Sequence, residues 1–288
     1  MDQAIALTIA IVTSVALLTL ISLGLAVIFG MMRVINFAHG EFIMLGGYAT
    51  VMASRAGVNI WVAMLVVAPI TVGLVGIVAE RLLIRRFYGQ TVTTMLATWG
   101  LSLFLIGLVT AIFGNTTRGV AAPLGSVSIG AYSVSAYQLV LIVITLVVTA
   151  LCFLALARTR WGLIARGTMR NPDIASTLGI DPIKVYTATF AIGAALSGLA
   201  GGLLAPISGV IPYMGATYVA RAFVTVISGG SALILGTVSA ATLFGPLEAV
   251  FSLLATPVIG QAALLIAAIV LLRVMPQGIS GRWQGTRR

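Results

Sequence analysis

The sequence predicts an all-α fold, a polytopic membrane helix bundle of about eight transmembrane helices with two interrupted or re-entrant segments. Three observations predict it. Hydrophobic residues make up 60% of the 288 residues and charged residues only 8%, where a soluble domain carries about 25% charged residues. Mean hydropathy is +1.16. Long charge-free stretches are separated by small groups of arginines. A chain this apolar cannot cover itself with a water-facing surface, which excludes soluble enzymes, coiled coils and disordered proteins. Thirty-two glycines beside nine prolines indicate close helix packing rather than low-complexity sequence.

The charge-free stretches cover residues 3–32, 42–54, 56–79, 87–117, 119–157, 185–220, 222–247 and 249–272. A spanning helix needs about 20 apolar residues. The first stretch follows Met1, Asp2 and Gln3, with no positive region, and is too long for a cleavable leader, so no signal peptide is expected. Basic residues gather at Arg81, Arg85 and Arg86; at Arg158, Arg160, Arg166, Arg170 and Lys184; and at Arg273, Arg282, Arg287 and Arg288. The net charge of +10 therefore reads as topology. The positive-inside rule puts the three clusters in the cytoplasm, and Arg55, Arg118 and Arg221, alone in the connections, at or beyond the outer face. Residues 114–136, rich in Gly, Ser and Thr, form an outer loop. No basic tract with interleaved aromatics is present, so no nucleic-acid partner is expected. The single Cys152 excludes an internal disulfide framework and reads as a small packing residue.

Two stretches do not fit simple spans. Residues 42–54 would rise only about 20 Å as a helix, short of a hydrocarbon core of about 30 Å. The segment must continue upstream through Asn36, Phe37, Ala38, His39, Gly40 and Glu41, which sets an amide, an imidazole and a carboxylate among apolar residues. Between Lys184 and Arg273 lie three stretches, and three full crossings would put Arg273 on the wrong side. The suspect is 222–247, interrupted by Ser228, Gly229, Gly230, Ser231 and Gly236; either it is not a simple span or one stretch crosses twice. Two interrupted helices in corresponding halves point to a transporter's pathway. In 185–220, Gly193, Ser197 and Gly201 recur at every fourth residue, as do Ala194, Gly198 and Gly202; these small faces either pack against neighbouring backbones or line a pore.

The loop 158–184 carries a second signal. Asn171, Pro172 and Asp173 form a helix start, with Asn as cap, Pro at the first position and an acid in the first turn. Gly179 is a stop. A two-turn helix between them puts Ile174, Ala175 and Leu178 on one side, and Asp181 and Pro182 begin the next helix. Such a capped helix either lies on the inner leaflet, against membrane lipid, or docks in another protein's groove. The only lysine, Lys184, sits between Ile183 and Val185, so no phosphate-binding P-loop is present. One His and one Cys cannot make a metal site. No Ser-His-Asp set is evident. No catalytic residue, metal or cofactor is expected, and the chain is read as not itself an enzyme.

Residues 25–41 (LAVIFGMMRVINFAHGE) with 44–48 (MLGGY) closely resemble the hallmark of permeases in branched-chain amino acid ABC importers. Further similar runs are 96–103 (LATWGLSL), 171–184, 190–202, 228–231 (SGGS) and 275–278 (MPQG), in order over nearly the whole chain. The family includes importers of urea and short amides, and 83–89 (LIRRFYG) with the 96–103 run is more similar to that branch. The resemblance implies one permease domain over 1–288 in a bacterial cytoplasmic (inner) membrane. It implies a second related permease subunit, two cytoplasmic ABC ATPase subunits and an extracytoplasmic solute-binding protein as partners. The loop helix 172–178 (Asn171 to Gly179 with its caps) would be the coupling helix in the ATPase groove. Asn36, Phe37, His39, Gly40, Glu41 and Ser228, Gly229, Gly230, Ser231 would line the translocation pathway. A secondary transporter or a passive channel is the reading from another class. Sparse intramembrane acids, Glu41 and Glu248, disfavour a proton relay.

Overall fold

In lipid the backbone has only itself to hydrogen-bond, so the apolar runs fold as helices. The computed structural model describes residues 2–129 and 132–281; Arg282, Arg287 and Arg288 of the third basic cluster lie outside them. In chain order the helices are α1 (Asp2–Met32), α2 (His39–Arg55), α3 (Ile60–Val62), α4 (Ala68–Leu82), α5 (Thr91–Phe113), α6 (Ala136–Arg158), α7 (Arg160–Arg170), α8 (Pro172–Thr177), α9 (Pro182–Ser208), α10 (Met214–Gly229), α11 (Leu233–Leu254) and α12 (Pro257–Val274). A π turn, Ala63–Val67, joins α3 to α4. Seven of the described helices are long and apolar enough to cross a membrane: α1, the continuous Ile60–Leu82, α5, α6, α9, α11 and α12. The chain is an all-α multi-pass membrane protein. The connection between α5 and α6 holds a small hairpin, β1 (Ser126–Ile129) antiparallel to β2 (Tyr132–Ser135), with Ser126 opposite Ser135.

Helix boundaries follow local chemistry. Asn59 accepts a hydrogen bond from the Trp61 N–H at 2.9 Å, and Thr256 caps α12 from the Ile259 N–H at 3.3 Å. Such caps satisfy donors that the first turn leaves free. Several sequence expectations shift. Arg221 sits within α10, not in a connection, because it has a buried partner there. Gly236 does not interrupt its helix; it lies in α11, where its missing side chain admits Gly229. The amphipathic α7 was not foreseen in the inner loop; Thr159 starts it by accepting from Gly162 N–H at 3.0 Å. The three charge-free stretches between Lys184 and Arg273 form four helices, with breaks at 209–213 and at 230–232.

The chain packs as two compact units, which share α1, α6 and α10. One is built from the described parts of Leu23–Ala121 and Ala150–Val219. Its axis is α9. An added Cβ on Gly198 would stand 2.7 Å from Val72 Cβ, and one on Gly202 would stand 3.1 Å from Ala68 Cβ, so α4 runs antiparallel to α9. On the other face Gly193 meets Gly24 and Ile28 of α1, and Gly201 meets Ile43 and Gly47 of α2. The two small-residue faces are therefore packing faces: every one of these close approaches is to a neighbouring helix. Phe42 and Phe190 meet edge to face, 5.9 Å apart, within a core of Ile28, Val72, Leu105 and Ala194. Tyr48 stacks on Phe113 at 4.8 Å.

The other unit is built from the described parts of Met1–Ser22, Ala122–Thr149 and Ala220–Arg288. There α12 packs on α11, with Gly260 against Glu248 and Ser252, and Gly245 of α11 admits the Val15 backbone of α1. Large apolar side chains such as Ile269 and Leu146 remain exposed, which suits a lipid surface.

Candidate functional site

The first interrupted segment lies wholly within one unit. α1 ends at Met32, and Arg33 takes a left-handed φ of +52°, which turns the chain back. Residues 33–38 are non-helical, and α2 begins at His39. The break thus precedes His39, while His39, Gly40 and Glu41 form the first turn of α2. Backbone groups freed by the break find side chains. Thr98 Oγ1 of α5 accepts from Phe37 N–H at 3.2 Å and stands 3.2 Å from the Ile35 carbonyl. Asn36 Oδ1 accepts from Ala38 N–H at 3.1 Å.

His39 Nδ1 stands 3.1 Å from Ser197 Oγ. Ser197 Oγ also lies 2.9 Å from the Gly193 carbonyl. If the hydroxyl donates to that carbonyl, its lone pair faces the imidazole and Nδ1 is the donor. Ser197 is near the middle of α9, which spans Pro182–Ser208, so α2 starts at mid-helix depth. Glu41 hydrogen-bonds Ser102 and its own backbone N–H. Gly215, at the start of α10, packs on Gly40 and Glu41, where a Cβ would stand 2.7 Å from Glu41 Oε1. Two helix N-termini therefore meet at Glu41. Asn36, His39 and Glu41 are all buried. Among the described residues, Asn36 Nδ2 and Glu41 Oε2 have no hydrogen-bond partner. Phe37 is half-buried and lines a cavity of about 270 Å³ with Val92, Met95, Leu96 and Trp99.

The second break lies in the other unit and has a different construction. Gly230, at φ +81°, ends α10. The carbonyls it frees are taken by the segment that follows α12. Ile279 N–H donates to the Ser228 carbonyl at 2.8 Å, and Ser280 N–H to the Gly229 carbonyl at 3.1 Å. Ser280 Oγ donates to the Gly229 carbonyl at 2.6 Å and accepts from Ala232 N–H at 2.9 Å. Gly278, at φ +71°, lies so close that a Cβ there would be 2.7 Å from Gly230 Cα. Ser228 and Gly229 are buried, Gly230 is half-buried and Ser231 is exposed. Ser228 Oγ has no hydrogen-bond partner among the described residues. The break therefore stands at the end of α12 that carries Arg273.

Beyond α7, the loop 158–184 has the caps and stop its sequence predicts, but Ala175 is oriented differently. Asn171 Oδ1 accepts from Asp173 N–H at 3.0 Å and Ile174 N–H at 3.1 Å, and Pro172 opens α8. Gly179, at φ +80°, stops it, and Asp181 caps α9. Ala175 turns inward and is buried, whereas Ile174 is 59% and Leu178 75% exposed. The three residues do not share one face. Two large apolar side chains instead point away from the protein beside polar neighbours.

A protein-family model described as "Branched-chain amino acid transport system / permease component" matches residues 7–275. This chain belongs to the branched-chain amino acid permease family. It is 30% identical over 281 residues to the high-affinity branched-chain amino acid transport system permease protein LivH of Salmonella typhimurium, covering 91% of each chain. It is 29% identical to the probable branched-chain amino acid transport permease protein LivH of Methanocaldococcus jannaschii, covering 94% of this chain and 91% of that one. It is 28% identical to the high-affinity branched-chain amino acid transport system permease protein BraD of Pseudomonas aeruginosa, covering 91% of each.

In this branched-chain amino acid permease the structure also assembles a cluster that sequence reasoning missed. Glu80 is buried at the end of α4. Arg85 grips it through Nε and Nη2, each at 3.2 Å, and Tyr88 donates to it at 2.5 Å. Arg85 Nη2 also donates to Thr187 Oγ1 at 2.9 Å, which ties this clamp to the first turns of α9, just after α8. Burial, and then the Glu80 carboxylate, hold the Tyr88 hydroxyl well above the usual phenol range. The available signal was a lone acid at the end of an apolar run, set among Arg81, Arg85 and Arg86.

Proposed function

We propose that this chain is the membrane-spanning permease subunit of an ATP-driven importer of branched-chain amino acids in a bacterial cytoplasmic membrane. The observation that carries the reading is the family match over residues 7–275, and the names of the relatives favour branched-chain amino acids over urea or a short amide. ATP is hydrolysed on separate cytoplasmic ABC ATPase subunits. A second related permease completes the pathway, and an extracytoplasmic solute-binding protein delivers the solute.

With the arginine clusters inside, α9 runs outward and α12 runs inward. The seven long helices then cross uninterrupted, and two interrupted crossings are added, one more in all than the eight expected. The first is made by residues 33–55, the second by residues 209–229. Four crossings between Lys184 and Arg273 return Arg273 to the cytoplasm, and the start of α1 lies outside. Each interrupted segment borders the solute pathway in its own unit. The buried, partnerless Asn36 Nδ2 and Glu41 Oε2 support this for residues 36–41, and Ser228 Oγ supports it for residues 228–231. ATP binding closes the ATPase pair, α8 moves with it through Ile174 and Leu178, and the permease pair alternates access.

The test is uptake of labelled leucine into proteoliposomes holding the complete complex. Uptake is expected to require ATP and the binding protein and to survive an uncoupler. Leucine transport by this chain alone, or driven by a proton gradient, would overturn the reading.

A further inference from the structure

Within the unit that contains α11 and α12, α10 and α11 cross where Gly229 meets Gly236; a Cβ on Gly229 would stand 2.5 Å from the Gly236 carbonyl carbon. Arg221 lies eight residues up α10 from that crossing and Glu248 twelve residues up α11. At 1.5 Å per residue these are rises of about 12 and about 18 Å; with the crossing at the cytoplasmic face, as the topology proposed above has it, both charges stand near the middle of a core of about 30 Å. Arg221 Nη2 pairs with Glu248 Oε1. The side chains are only 14% and 9% exposed. Glu248 Oε2 has no hydrogen-bond partner among the described residues.

Intramembrane charges are costly and mark solute or ion paths more often than packing. An ion pair this buried gains little over apolar packing, because desolvation offsets its attraction. Its opposite charges do, however, complement one kind of solute. An α-amino acid carries a carboxylate and an ammonium on neighbouring atoms.

We propose that the Arg221–Glu248 pair is a transit site for the zwitterionic head group of an α-amino acid, a role that rests on the amino acid importer reading. The guanidinium takes the solute carboxylate in a forked pair of hydrogen bonds. The Glu248 carboxylate takes the ammonium. No covalent bond changes and no proton moves. The site is neutral with the ion pair closed and neutral again with the zwitterion between the two residues, so no buried charge is left uncompensated at either stage. A lone anion or cation would leave one charge unpaired. Urea or an amide has no charges to offer in exchange, so the pair selects amino acids over those solutes.

The experiment uses the complete complex in proteoliposomes. In R221Q/E248Q both charges are lost together, so neither partner is stranded. ATPase assembly and binding-protein-stimulated ATP hydrolysis are expected within twofold of wild type, with leucine uptake at least tenfold lower. Leucine uptake within twofold of wild type in that variant overturns the inference and leaves the importer reading standing. Wild-type complex that moves no branched-chain amino acid overturns the importer reading itself. If the double variant does not assemble, the wild-type complex decides. With ¹⁵N-arginine in this chain and ¹³C₁-leucine trapped during turnover, dipolar recoupling between guanidinium and carboxylate is expected. Recoupling unchanged in R221K, or none in wild type, overturns the inference.

Discussion

Replacing Leu178 or Ile174 with Asp tests the coupling surface directly. Fully burying a Leu or Ile side chain is worth about 1.5–3 kcal/mol. Ile174 is 59% exposed and Leu178 75% exposed. If complete burial is worth about 2 kcal/mol, covering what is now exposed contributes about 1.2 kcal/mol from Ile174 and about 1.5 kcal/mol from Leu178. Losing both, about 2.7 kcal/mol, weakens ATPase docking about 100-fold at 1.4 kcal/mol per decade. Each single variant is expected to lose at least about tenfold, because an Asp also carries a charge into an apolar groove. The fold itself should be nearly unaffected, since both side chains face outward and exposed substitutions usually stay within about 0.5 kcal/mol. The assay is ATPase subunit binding to the purified, reconstituted permease, together with binding-protein-stimulated ATP hydrolysis. Binding within twofold of wild type in the double Asp variant would refute the reasoning and return α8 to a simple surface loop.

Three further outcomes are expected. Gly198→Leu should destabilise the protein by about 1–3 kcal/mol or more, because the first added carbon already meets Val72 at 2.7 Å; Gly100→Ala, where nothing lies within 4 Å, should leave the thermal midpoint in detergent unchanged. Asn36→Leu and His39→Leu should each cut leucine uptake while leaving complex assembly intact, and normal uptake in both would remove these residues from the pathway. Asn171→Ala should lower the stability of the α8 turn by about 1 kcal/mol, seen as faster amide exchange at Asp173 and Ile174, whereas Asn171→Asp should retain protection.

Much of the fold was legible because lipid imposes one rule on the backbone. Long charge-free runs had to be helices, and Arg81 and Arg158 fall in the last turns of α4 and α6. Residues whose role is local could also be read: Asn171, Pro172 and Gly179 set the ends of α8 with no help from the rest of the chain. What stayed hidden depends on partners distant in sequence. Arg221 looked like a loop residue because its counterion, Glu248, is on another helix. Glu80 stood among three arginines, but nothing local showed that Arg85 is its partner or that Thr187, about a hundred residues on, joins them. The polar run puts the first break at Asn36–Gly40, whereas the non-helical residues are 33–38, because Ser197 and Ser102 satisfy His39 and Glu41 within the first turn of α2. The runs 228–231 and 275–278 looked like separate motifs, although the structure makes them one joint.

That joint constrains how the sequence can drift. An ion pair such as Arg221 with Glu248 can in principle be exchanged for its mirror image and keep its attraction. Gly230 and Gly278 touch through their main chains, and both hold backbone angles that residues with side chains rarely adopt. No second change at one can excuse a side chain at the other. The two positions are therefore tied by geometry alone, and a variant library built on either should tolerate little but glycine, whatever solute the transporter carries.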